Sequence, residues 1–199
     1  MFALYQLVAL RGLRRGEACG LRWNEVDLAS NTLTVNWQLV QLAWEVHEGA
    51  PKTDASVRTI ALDSDTARVL RAHRQQQLQD RLAMGEAWSD TGFVFTQPDG
   101  SRLHPQHVSD QFLWLAYLAG LPPIRLHDLR HGAASLMLAA RVKMKVVQET
   151  LGHTSSAFTA DTYASVHPQV ATAAAEKTAA PLFGKEDQAQ PRHVISLRS

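Results

Sequence analysis

LGHTSSAFTADTYASV, residues 151–166, is the stretch on which the reading of the whole chain turns. It starts as a helix ending on leucine and glycine, passes through a polar loop and leads toward another short helix. His153 and Tyr163 both lie in it, among residues too polar to need either ring as core. A histidine and a phenol ten positions apart in such company suggest chemistry, and their partners must come from elsewhere in the chain.

Working upstream, HDLRH (127–131) opens a helix whose apolar stripe runs through Leu129, Ala133, Leu136, Met137 and Ala140. His127 and Arg130 are three apart and share a face near the unpaired N–H groups of the helix start. Arg130 can hold a phosphate through two parallel N–H···O bonds, and His127 can donate to a third oxygen or carry a proton. A rival reading makes His127 and His131 the paired histidines of an H-E-x-x-H zinc site. Arg130 lies between them on the same side of the helix, where its fixed charge opposes a dication, and Asp128 is one carbon short of the usual glutamate. Near the start of the chain, GLRRGE (12–17) sets Arg14 and Glu17 three apart, which on residues alone describes an exposed ion pair worth a few tenths of a kcal/mol. Lys52 sits in GAPKTDAS (49–56), turn chemistry between strands, and by itself is an ordinary exposed lysine.

The remaining pattern describes an α+β domain. FALYQLVAL suits a buried helix, followed by a second short one. From Thr32 to Leu62 the spacing changes: Leu33, Val35 and Trp37 alternate with polar residues, and Val57–Leu62 is β-rich with Ile60 and Leu62 on one side. A small antiparallel sheet of about three strands is expected here. Asp63 or Ser64 caps a helix running to about Leu82, and Phe93–Phe95 forms a short strand or loop. Val108, Phe112, Leu115, Ala116 and Ala119 mark one helix face, and KVVQETLG closes a further helix with Gly152 as its C-cap. Residues 168–180 are alanine-rich and suit a helix, and the last residues have the composition of a flexible tail, so the domain is drawn at 1–183 and the tail at 184–199.

The chain has 199 residues, 45% hydrophobic, with a net charge of +1, so the total charge indicates no polyanionic partner. The distribution is more informative. Residues 1–22 carry Arg11, Arg14, Arg15 and Arg22 against Glu17, and residues 123–153 carry Arg125, Arg130, Arg141, Lys143 and Lys145 against Asp128 and Glu149. Two such segments either converge on an anion or form two solvated helix faces. A single cysteine, Cys19, excludes an internal disulfide framework, and no leader or long apolar run is visible, so a reduced, cytoplasmic location is expected.

Taken together, G-L-R-x-G-E, P-K-T in a hairpin, H-x-L-R at the head of a late helix, L-G-H and a tyrosine ten residues on resemble the catalytic domain of the tyrosine recombinase (phage integrase) family, over Gly12 to about Val166. The resemblance implies a mainly helical catalytic fold with a small three-stranded antiparallel sheet. It makes Arg14 and Arg130 the phosphate-clamping arginines, Lys52 the mobile hairpin lysine, His127 and His153 the site histidines, and Tyr163 the nucleophile. Glu17 corresponds to a supporting buried acid, Asp128 orders its helix start, and His131 is present in relatives without being catalytic. Arg11 departs from the small residue usual before G-L-R.

The implied activity is site-specific recombination of double-stranded DNA through a 3′-phosphotyrosyl intermediate, with no metal or ATP. Four protomers on two duplexes are implied, with a monomer expected for the isolated domain. The alternatives are a catalytically incomplete DNA-binding or regulatory fragment of a recombinase, and a type IB topoisomerase with the same chemistry. Relatives carry a core-binding domain, and often an arm-binding domain, ahead of the segment matched here. The chain is therefore expected to be an excised fragment or a truncated reading frame.

Overall fold

A computed structural model describes residues 1–50 and 56–152, all within one compact unit. Helix α1 (Phe2–Arg11) buries Ala3, Leu4, Leu7 and Val8, as its apolar run requires. It ends on Gly12 in the left-handed conformation, at φ 67°. The short α2 (Arg15–Gly20) follows, and then a three-stranded antiparallel sheet in the order β1 (Val26–Asp27), β2 (Thr32–Val35), β5 (Arg58–Ala61). Leu33 pairs with Ile60 and Val35 with Arg58, which puts the alternating apolar residues on one face.

The expected sheet is present, with one difference. The strand through Leu33 and Val35 stops at Val35, and the chain forms a separate two-stranded ribbon, β3 (Gln38–Leu42) with β4 (Glu45–Gly49). Trp37, expected to continue the buried face, lies between the two sheets and is 44% exposed. Arg22 is 6.0 Å from its ring centroid and is paired at 2.5 Å with Glu48 of β4, so a cation rather than the core takes up part of the indole.

Helix α3 (Ser64–Met84) begins at Asp63, whose carboxylate accepts the Thr66 N–H at 2.9 Å. Helices α4 (Pro105–Leu118), α5 (Leu126–Ala139) and α6 (Met144–Leu151) complete the described part. The Tyr5 hydroxyl donates to the Val108 carbonyl at 3.0 Å and its ring meets Phe112, fixing α1 to α4. The stripes on α4 and α5 are narrower than the spacing suggests: Val108, Phe112 and Ala116 are buried on α4, and Leu126, Arg130, Ala133 and Ala134 on α5. Leu115, Ala119, Leu136 and Ala140 face outward. Ala134 packs with Val147 and Leu151 in a small second core, which binds α6 to α5. Among the described residues no helix is long and apolar enough to cross a membrane. The expected helix at 168–180 and the boundary at 183/184 lie outside the described residues.

Candidate active site

Three consecutive carbonyls at the C-terminal end of α6 form the focus. Arg58 Nε donates to Thr150 O at 2.7 Å, Arg130 Nη2 to Leu151 O at 2.5 Å, and Arg14 Nη2 to Gly152 O at 3.2 Å. A helix C-terminus leaves such carbonyls without intrahelical partners and carries partial negative charge, so cations are stabilised there. Each arginine comes from a different element. Arg14 is the N-cap of α2, Arg58 lies on β5, and Arg130 is in the second turn of α5.

The glycines permit this convergence. Arg130 also donates through Nη1 to the carbonyl of Gly12, where α1 turns. A Cβ on Gly12 would stand 2.4 Å from Leu151 Cδ2, so only glycine lets the end of α1 touch the end of α6. Gly152, at φ 66°, lies against the Arg58 guanidinium, with Nη1 2.9 Å from where a Cβ would be.

Glu17 ties Arg14 to Arg58. Its carboxylate accepts from Arg58 Nη2 at 2.9 Å and Nη1 at 3.1 Å, and from Arg14 through the backbone N–H at 2.8 Å and Nη1 at 2.7 Å. The side chains of Glu17 and Arg58 are 1% and 6% exposed, against 37% for Arg14. Of the two readings of Glu17, the exposed ion pair inferred from spacing alone gives way to the buried acid that the resemblance implies, here shared between two arginines. Burial opposes its ionisation, but the hydrogen bonds and charge of Arg58, then those of Arg14, outweigh that effect and hold its pKa down at about 2.

His127 lies one turn before Arg130 and meets His131 edge to face at 5.0 Å. It borders solvent, yet partial desolvation of its ring, then the charges of His131 and Arg130, hold its pKa below the ordinary histidine value. The Asp128 carboxylate accepts the Arg125 backbone N–H at 2.8 Å, so the start of α5 already has its own carboxylate. Among the described residues no group of three His, Cys, Asp or Glu is arranged to hold a metal ion.

Of the sequence candidates, Arg14 and Arg130 come together, with His127 on the same helix as Arg130. Lys52, His153 and Tyr163 lie outside the described residues. The other cations of the two basic segments are largely engaged elsewhere: Arg11 with Asp63, Arg15 with Ser109, Arg22 with Glu48, Arg125 with Asp128. Arg58 was missed. Its signal was parity, since it shares a strand face with Ile60 and Leu62, where an arginine has to be paired to be buried.

The described residues thus gather three arginines and one shared glutamate at a helix end on an α+β scaffold. The phage integrase family model matches residues 2–169, and the chain belongs to that family. It is 30% identical over 186 residues to a XerC-like tyrosine recombinase of Caldanaerobacter subterraneus subsp. tengcongensis, covering 87% of this chain and 48% of that protein. It is 26% identical over 173 residues to the ICEBs1 integrase of Bacillus subtilis, covering 87% and 47%. The chain thus spans about half the length of these curated relatives. Its fold resembles the Tn1549 transposon integrase in complex with transposon right end DNA, at TM-score 0.74 and 20% identity over 89% of this chain and 58% of that one. It also resembles the XerA recombinase, at TM-score 0.69 and 20% identity over 89% and 57%.

Proposed function

We propose that this chain is the catalytic part of a site-specific DNA recombinase or integrase, which cleaves and rejoins strands through a 3′-phosphotyrosyl intermediate on Tyr163. The observation that carries the reading is the meeting of Arg14 and Arg130, from opposite ends of the described chain, on the adjacent carbonyls of Gly152 and Leu151. These are the two residues that precede His153 in sequence.

A phenol with a pKa near 10 is a poor nucleophile at neutral pH, and the phosphodiester it must approach is anionic. Both obstacles are electrostatic. Arg14 and Arg130 neutralise the non-bridging oxygens and stabilise the charge that gathers on them in the transition state. Backbone carbonyls already orient both guanidiniums, so little reorganisation is needed when substrate arrives. Tyr163 Oη forms a bond to phosphorus as the bond to the 5′ oxygen breaks. Lys52 protonates the departing oxygen and a histidine accepts the phenolic proton, each proton transfer contributing on the order of 10²–10⁴ in rate. His127, held neutral near pH 7, suits hydrogen bonding to the phosphate or proton acceptance better than a fixed positive charge would. One phosphoester replaces another of similar energy, so no ATP or metal is called for, and a 5′ hydroxyl from a partner strand reverses the attack. Double-stranded DNA is the substrate, and four copies on two duplexes follow by analogy with the family.

A randomised pool of nicked duplexes, in which the short product diffuses away after cleavage, tests this. The 199-residue chain, alone and joined to its native in-frame flanking sequence, is expected to form a slowly migrating protein–DNA adduct that Tyr163→Phe abolishes. An adduct that survives the substitution rejects the assignment. DNA binding by both proteins with no adduct from either supports the regulatory-fragment reading instead.

A further inference from the structure

We propose that Arg58 is a positioning residue of this site: its buried charge neutralises Glu17, so that Arg14 keeps a full positive charge for the phosphate. The proposal rests on the recombinase reading for the identity of the anion. The geometry supporting it stands apart from that reading.

The formal charges make the argument. Arg14 and Glu17 form a pair 2.7 Å apart, which alone sums to zero. A phosphate approaching such a pair would find one acceptor already satisfying the guanidinium and an uncompensated carboxylate directly behind it. Arg58 brings the second cation, bonded to both oxygens of the same carboxylate, and the trio carries one net positive charge. Of the three, only Arg14 has a substantially exposed side chain, so that charge is presented outward through Arg14.

Arg58 also fixes position. Its Nε bond to Thr150 O holds the last turn of α6, next to the carbonyls that orient Arg130 and Arg14. Its Nη1 donates to Ser56 O at 2.9 Å, four residues after Lys52 in sequence. One guanidinium therefore ties together α2, β5 and the end of α6. Its planar fork, with five N–H donors in fixed directions, reaches all of these acceptors from one side chain, and its charge is what Glu17 requires. The lining of Gly152 against it leaves no room for a side chain to displace it.

The test follows the Nε–H resonances of the arginines in the 199-residue chain, at low ionic strength, during titration with dimethyl phosphate, a singly charged diester. The wild-type Arg14 signal is expected to shift with saturation. Arg58→Met is expected to weaken binding about tenfold, the effect of one unit charge removed at roughly 10 Å with an effective dielectric of about 20. The double variant Arg58→Met/Glu17→Gln, which removes the buried carboxylate's charge as well, is expected to recover to within about threefold of wild type, which a purely structural role for Arg58 would not produce. Arg58→Lys keeps the charge and is expected to stay within a similar margin. Wild-type affinity in Arg58→Met, a double variant as weak as the single, or an Arg14 signal that ignores the diester overturns the proposal. If Arg58→Met does not fold, a tenfold loss in folded Arg58→Lys overturns it equally. Tyr163 adduct formation reports separately: an adduct without the charge response rejects only the role of Arg58, and the charge response without an adduct rejects only the recombinase reading.

Discussion

Replacing Glu17 by glutamine probes the centre of the site through stability alone. The substitution keeps shape and one acceptor oxygen but leaves the Arg58 guanidinium, 6% exposed, without its counter-charge. Removing one partner of a buried pair costs about 3–5 kcal/mol. Linkage gives a similar size by a second route. The carboxyl falls from its ordinary 4.5 to about 2 on folding, and such a fall corresponds to about 3 kcal/mol. Because the folded pKa is the lower one, that contribution is fully present above pH 4.5 and disappears as pH falls toward 2. Urea unfolding of the 199-residue chain at pH 7 should therefore show Glu17→Gln less stable by about 3 kcal/mol, with a melting temperature lower by roughly 6–12 °C. The gap should narrow steadily between pH 4.5 and the lowest pH at which the wild type still folds. A variant within about 1 kcal/mol of wild type at pH 7, or a gap indifferent to pH, would refute the shared-carboxylate account.

Gly12→Ala forces a side chain into the left-handed region and onto Leu151 Cδ2, and is expected to cost at least about 2 kcal/mol, read by the same unfolding curves. Cys19 is fully buried and its thiol is pushed up to about 12, chiefly by desolvation, so it should resist a thiol reagent at pH 8 until urea unfolds the chain. The His127 ring should titrate below the usual histidine midpoint in a proton NMR series, and His131→Asn should move that midpoint upward by removing a neighbouring charge.

The helices were legible because their punctuation is local: Asp63 caps α3, Gly152 ends α6, and the apolar run of α1 is buried as read. The sheet was legible in its alternation but not in its break after Val35, since the pattern through Trp37 continues in sequence while Arg22, from an earlier element, meets that ring. The outward positions of Leu115 and Leu136 were illegible for a related reason, as helical spacing states which residues share a face but not how wide a stripe the neighbours cover. At the site, the motif order singled out Arg14 and Arg130. Arg58 belongs to no charged motif, and only the parity of its strand, which places an arginine on the buried face beside Ile60, marks it in the sequence. Its importance comes from contacts with Glu17 and Thr150, both far away in sequence.

The most direct measurement is the identity of the residue that becomes joined to DNA. Digestion of the adduct captured from nicked duplexes, followed by peptide mass mapping, should find a 3′-phosphoryl nucleotide on the phenol of Tyr163. Attachment through any other side chain, or linkage to a 5′ phosphate, would contradict the account at its root.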